Sequence, residues 1–495
     1  MKPLLNSLFL TLLIINISCD SIPSKKSMDI VILHINDVYE IAAVNGGKEG
    51  GYARLAYLID SLREENPNLL VVHAGDFLSP SLIGNLKDDS GNKIKGRHMI
   101  EAMNASGVDV VTFGNHEFDI KEEELQNRID ESTFKWISAN VYHNQQGKKE
   151  PFMQKNKCIP PTMTAYFVDG NDTFSLGLVG VTLPFNKKDF VHYGNVELTL
   201  KKVLDTISAD QTLLLTHLER NQDREVASRF PSVPLIMGGH DHYHFMDTVG
   251  SVLVAKADAN LRTVWKHNLR YDFESKGLKV NSELIKLNSS IPESKSVLEV
   301  VNRWLEFAKE RAGSSGFQLD KVVWQGDSVW ECRETVIRAQ QTNFGHAVAN
   351  AMKEFTEAEV ALLNSGSLRY DDQLTGIITE GDILKALPFG GSVSYTKIKG
   401  DDLSNIVWIG LDTNKGTGGY LQIPGATIEN GRVLLNGEPI DTGKMYSVCT
   451  SRFMASGKES NLEVLKNFSW EIPNREQGSS NDIRHMTIKY LENVN

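Results

Sequence analysis

The chain has 495 residues, too many for one ordinary hydrophobic core, so two domains are expected. It is 41% hydrophobic and 23% charged, which excludes a disordered chain and suits a soluble globular one. The net charge of -11 argues against nucleic-acid polymers or anionic membrane surfaces as partners, so any anionic ligand must be held locally, by metal ions or a few arginines.

After Met1 and Lys2 comes the run "LLNSLFLTLLIINIS". It is too short to span a bilayer and has the pattern of a secretory signal core, set off from any fold by the polar "DSIPSKKSMD". Residues 1–19 are therefore read as a signal peptide, which implies export to the periplasm or cell surface. Ile17-Ser18-Cys19 resembles a bacterial lipoprotein cleavage box, with Asn16 where leucine is usual, and makes Cys19 the candidate for a lipid anchor. Cys158, Cys332 and Cys449 are widely spaced, with no CxxC pair, so neither a zinc-thiolate site nor a disulfide framework is indicated, and one disulfide among the three stays open.

Short apolar runs then alternate with helical patterns. Asp29–Ile35, Asn68–Ala74, Val108–Phe113, Gln211–Thr216 and Val233–Met237 read as buried strands. "GYARLAYLIDSLREE" and "GRHMIEAMNASG" read as amphipathic helices, the second closed by Gly107. This alternation predicts a layered α/β domain over 28–285. Within 290–318 a helix with apolar spacing from Val297 to Phe307 lies between Ser-rich punctuation, as an interdomain linker does, and a second domain is expected over 319–495.

Each of the five apolar runs ends in a metal-capable side chain: Asp37, Asp76, the "GNHEFD" segment, His217, and "GGHDH". A lone aspartate after a strand is usually a turn residue, and a lone buried histidine is usually just hydrogen-bonded. Five such endings, all with oxygen or nitrogen donors, point instead to a shared site at the carboxyl ends of the strands. Carboxylate, amide and imidazole together suit zinc, manganese or iron rather than calcium.

In this order, Asp37, Gly75-Asp76, Gly114-Asn115-His116-Glu117, His217 and Gly239-His240-Asp241-His242 resemble the calcineurin-like metallophosphoesterases. Farther on, "VIRAQQTNFGHAVANAM", "NSGSLR", "LPFGGSV" and "SRFMASGKES" resemble the C-terminal domain of the 5'-nucleotidases. The pair implies a four-layer α/β/β/α sandwich followed by an α+β substrate-binding domain. It implies two divalent ions, with Asp76 bridging, Asn115, His217 and His240 completing one site, and Asp37 and His242 holding the other. Arg338, Asn364 and Arg369 would meet the phosphate and polar parts of a nucleotide, and Phe389 and Phe453 would sandwich its base.

Two departures stand out. Asp37-Val38-Tyr39 replaces the usual Asp-x-His, and tyrosine is a poor ligand at neutral pH because its phenol stays protonated. A subset of the family resembles this variant, with "NDVYE" early and Met454-Ala455-Ser456-Gly457-Lys458 late. Glu459-Ser460 stands where Asp-Gly is usual, which bears on base or ribose preference.

The implied activity is dimetal-dependent hydrolysis of nucleoside 5'-monophosphates, with His116 stabilising the transferring phosphoryl group and protonating the leaving oxygen, and Asp119 orienting His116. The same core also serves 2',3'-cyclic nucleotide phosphodiesterases and nucleotide-sugar hydrolases. Of other classes, a nucleotide-binding protein with weakened catalysis would be marked by Tyr39 and Glu459, and a structural surface protein would carry its histidines incidentally.

Overall fold

The structure, a computed structural model, describes residues 26–185, 187–473 and 480–494. The signal run and Cys19 lie outside these residues.

The first half is built on two six-stranded sheets. One runs in the order Gly277–Lys286, Thr263–Asp272, Ser27–Ile35, Leu69–His73, Val110–Val111, Lys135–Trp136. The other runs Phe245–Val249, Val252–Lys256, Leu235–Gly238, Gln211–His217, Asp172–Thr182, Thr162–Asp169. Their central strands are parallel and apolar on both faces, and period-two alternation sorts the side chains into layers. Ile30, Ile32, Leu70 and Val72 pack between the sheets against Leu213, Leu215, Leu235 and Met237. The intervening Val31, Leu33, Leu69 and Val71 face helices on one outer side, with Ile59, Leu62, Met99 and Met103. Leu214 and Ile236 face helices on the other, with Leu200 and Val226. The result is the four-layer α/β/β/α sandwich.

The strands largely follow the sequence pattern, but Val108–Phe113 shortens to a ladder of Val110–Val111, because its outer neighbour is itself only Lys135–Trp136. The helices form over Tyr52–Glu65 and Arg97–Ser106, the latter ended by Gly107 at φ 85°, a left-handed conformation that glycine adopts without a Cβ clash.

The helix Lys295–Ser314 is longer than its apolar spacing suggested, and it does not cross open solvent. Val297, Val301, Trp304 and Ala308 are buried in the helical layer of the first half, and Ala312 belongs to the core that follows. In the second half a sheet in the order Val393–Lys399, Met445–Ser451, Val360–Asn364, Leu421–Gln422 separates two apolar clusters. Ala347, Val348, Met352 and Leu491 pack on one face with Ala361 and Leu363. Leu403, Ile406 and Val407 pack on the other with Val360 and Leu362. Cys332 and Cys449 are buried free thiols and Cys158 is an exposed one, so the disulfide left open by the sequence is absent among the described residues. No described helix is long and apolar enough to cross a membrane.

Candidate metal centre and substrate cleft

Register brings the donors together. Ile35 lies opposite His73 and His73 opposite Val111, so the segments carrying Asp37, Asp76 and Asn115 leave their sheet at one edge. Thr216 lies opposite Gly238 in the facing sheet, which brings His217 and His240 to the same edge. Asp37, Asp76 and His240 all take positive φ, at 52°, 63° and 82°, a conformation costly for side-chain-bearing residues and characteristic of ligand clamps. Glycines allow the close approach: a Cβ on Gly114 would lie 2.1 Å from Asp76 Oδ1, and one on Gly239 would lie 2.7 Å from His217 Nδ1.

Ligand atoms of Asp76, His217 and His240 lie within 4.8 Å of one another, a group that could hold a metal ion. His217 Nδ1 donates to the Ala74 carbonyl at 2.6 Å, which turns Nε2 inward, 3.2 Å from Asp76 Oδ2 and 3.1 Å from Asn115 Oδ1. His240 Nδ1 lies 3.0 Å from the same Asn115 oxygen. Burial alone would push His217 down, but Asp76, with help from Asp37, lifts it to about 9, a pull that a bound cation would take over.

Beside this group, Asp37 Oδ2 receives Asn36 Nδ2 and the His240 backbone N–H, both at 2.8 Å. Asp37 Oδ1 is buried, has no hydrogen-bond partner, and faces His242 Nε2 at 3.6 Å. An orphaned buried carboxylate oxygen next to an imidazole nitrogen fits a cation. Tyr39, the expected gap, reaches into the same space. Its hydroxyl donates to Asp76 Oδ2 at 3.1 Å and lies 3.2 Å from His242 Nε2. Burial, then Asp76 and Asp37, hold the phenol well above its usual pKa, so it sits there as a neutral hydroxyl.

His116 follows directly. Its backbone N–H donates to Asp76 Oδ1 at 2.7 Å, and its Nδ1 donates to Asp119 Oδ2 at 2.6 Å. Its Nε2 therefore accepts, and the donor is Arg369 Nη2 at 2.9 Å, from the second half of the chain.

A cavity of about 640 Å³ runs from His116 and Asp119 past Arg338, Asn364 and Arg369 to Phe389, Phe453 and Glu459. Phe389 and Phe453 are 53% and 47% exposed and both line this cavity, so their rings are open to a ligand within it. Asn364 Nδ2 donates to Glu459 Oε2 at 2.7 Å, so the glutamate in place of the usual aspartate fixes an amide in the cavity wall. All fourteen residues singled out in the sequence thus fall either in the donor cluster or along this cavity.

Three residues escaped the sequence reading. Glu117 is fully buried and accepts the backbone N–H groups of Asp76, Phe77, Leu78 and Gly114 at 2.9, 2.8, 3.2 and 2.6 Å. Burial, then Asp76, push its carboxyl up to about 7 against the bonds from Phe77, Asp76 and Gly114. It sits inside "GNHEFD", but only the fold shows that it points backward onto the Asp76 loop. Asp371 makes a short hydrogen bond with His242 Nδ1 from the second half of the chain, and Glu334 approaches the same nitrogen at 3.9 Å. Their only sequence signal was proximity to Arg369 and Arg338.

A four-layer sandwich with such a donor edge defines a calcineurin-like phosphoesterase, and that family matches residues 30–244. The 5'-nucleotidase C-terminal domain family matches residues 326–467. The chain thus carries a calcineurin-like phosphoesterase domain followed by a 5'-nucleotidase C-terminal domain. It is 25% identical to the 5'-nucleotidase of Bos taurus, over 88% of this chain and 84% of that protein. It is 26% identical to the trifunctional nucleotide phosphoesterase protein YfkN of Bacillus subtilis, over 88% of this chain but only 32% of that longer protein. In fold it is similar to a 5'-nucleotidase precursor from Thermus thermophilus, with a TM-score of 0.75 and 21% identity over 94% of this chain and 97% of the other. The protein is a phosphoester hydrolase of a family that uses divalent metal ions.

Proposed function

We propose that the protein hydrolyses nucleoside 5'-monophosphates to nucleoside and phosphate with two divalent ions, zinc, manganese or similar. The carrying observation is that one cavity joins the donor cluster and His116 to two arginines and two exposed aromatic rings. Its relatives' names agree with this substrate class.

Asp76, Asn115, His217 and His240 would hold one ion, and Asp37, Asp76 and His242 the other. Bound ions supply Lewis-acid polarisation of the phosphoryl group and a nucleophilic water near neutral pH. Asn36 fixes Asp37, Glu117 fixes the Asp76 loop, and Asp371 fixes the ring of His242. Arg338 and Arg369 take phosphate oxygens with forked donors. As Arg369 turns from His116 to the phosphate, His116 Nε2 is freed to take up a proton from solvent and pass it to the leaving nucleoside oxygen, with Asp119 holding the ring by Nδ1. Phe389 and Phe453 stack the base, and Asn364 and Glu459 present polar atoms to the nucleoside.

The apolar N-terminal run and Cys19 support export to the periplasm or cell surface with a lipid anchor. Phosphate release from AMP, UMP, 2',3'-cyclic AMP and UDP-glucose, with manganese or zinc added, tests the activity. Release from the mononucleotides that stops with chelator and returns with metal is expected. Turnover that survives complete removal of metal would refute it.

A further inference from the structure

Arg338 and Arg369 do not wait in the cleft as free cations. Glu334 Oε1 lies 2.5 Å from Arg338 Nη1, and Glu334 Oε2 lies 3.7 Å from Arg369 Nη1. An i,i+4 pair on a solvated helix face contributes only about 0.3–0.5 kcal/mol and would call for no comment. Here the carboxylate is 18% exposed, the Arg369 side chain 7%, and the second guanidinium comes from a different element. Glu334 is also held in place from behind: its backbone N–H donates to Asp371 Oδ1 at 2.8 Å. It lines a second cavity together with His240, His242 and Arg338, while the aromatic pocket is lined by Arg338 but not by Glu334.

We infer that Glu334 sets the charge selectivity of the phosphate cradle, lowering its preference for a doubly charged phosphomonoester relative to a singly charged phosphoryl group. The inference rests on the reading of Arg338 and Arg369 as phosphate-holding residues. With Glu334 in place the three side chains carry one net positive charge rather than two. An incoming phosphate must share both guanidiniums with a fixed carboxylate that repels it. Coulomb energy scales with the product of the charges, so a dianion feels this repulsion twice as strongly as a monoanion in the same position. Glu334 acts through the arginines and is a positioning residue, not a catalytic one.

The test uses the full mature chain with metal at pH 8, where inorganic phosphate is mainly a dianion and dimethyl phosphate a monoanion. Competitive inhibition constants for both are measured against AMP hydrolysis in the native enzyme and in Glu334→Gln. Because the gain for the dianion should be the square of that for the monoanion, phosphate should bind about tenfold tighter in the variant and dimethyl phosphate about threefold. KM for AMP should fall while kcat changes little, a split that a general loss of structure would not give. Should Glu334→Gln lose its cooperative melt, Glu334→Asp, which retracts the carboxylate from Arg338, should show the same ordering at reduced size. Equal shifts for the two anions, or weaker binding of both, would overturn the inference. Failure of the native enzyme to hydrolyse AMP would instead remove the reading on which it rests.

Discussion

Arg369 Nη2 donates to His116 Nε2 at 2.9 Å, so a residue from the second half of the chain occupies the nitrogen to which the proposed chemistry assigns the proton. Arg369→Ala should lower kcat/KM about a hundredfold, the upper range for a lost charge-assisted hydrogen bond, and His116→Ala should lower kcat by at least that factor. Since the two side chains touch, the double variant should lose less than the product of the single losses. Steady-state kinetics on the four proteins checks this, and strict multiplicativity would mean that the contact has no bearing on turnover.

Glu117 shows how far the donor edge depends on a residue that binds neither metal nor substrate in the proposed scheme. In Glu117→Gln one oxygen becomes a donor and faces backbone N–H groups that also donate. The expected cost is about 3 kcal/mol, as for a broken buried charged hydrogen bond. It should appear as a lower melting temperature together with weaker metal retention. An unchanged melt with full metal content would show that the Asp76 loop holds itself.

Acid stability should be governed by histidines buried in the neutral form. Burial pushes His34 and His98 down to about 3. Their folded values lie below the ordinary 6.5, so between about pH 6.5 and 3 the unfolded chain binds more protons. Their contribution is complete above 6.5 and is lost as pH falls, by about 2–3 kcal/mol per histidine at two units below that value. Denaturant titrations of native protein and His98→Gln between pH 7 and 4.5 should show a flatter decline in the variant. Parallel declines would assign the acid lability elsewhere.

Phe389 and Phe453 should contribute to binding rather than to the chemical step. Alanine at either position is expected to raise KM for AMP roughly tenfold, the scale of one lost base stack, with little change in kcat. Hydrolysis of p-nitrophenyl phosphate, which has no base, should be nearly unaffected. Equal losses on both substrates would assign the rings to the shape of the cleft instead.

Much of this was legible in the chain because it is local. Strand endings and their donor residues lie within a few positions of each other, and parallel register does the rest, so Asp37, Asp76, Asn115, His217 and His240 could be gathered without coordinates. The helix Lys295–Ser314 was visible but its burial was not, because an apolar stripe does not say which core will receive it. Tyr39 read as a missing ligand, since its hydrogen bonds to residues 37 and 203 positions away cannot be inferred from spacing. Glu334 and Asp371 were invisible for the same reason: each looks like a surface acid beside an arginine until the two halves of the chain are brought together.

The reach of Arg369, Asp371 and Asp372 onto His116, His242 and Arg262 has a consequence for heredity. A recombination event that exchanged one half of this chain for that of a distant relative would keep both cores and still separate three matched pairs. Drift at position 371 or 372 is answerable to a histidine or an arginine more than a hundred residues away. The two halves should therefore carry correlated substitutions across these pairs, and chimeras should recover function only when the partners travel together.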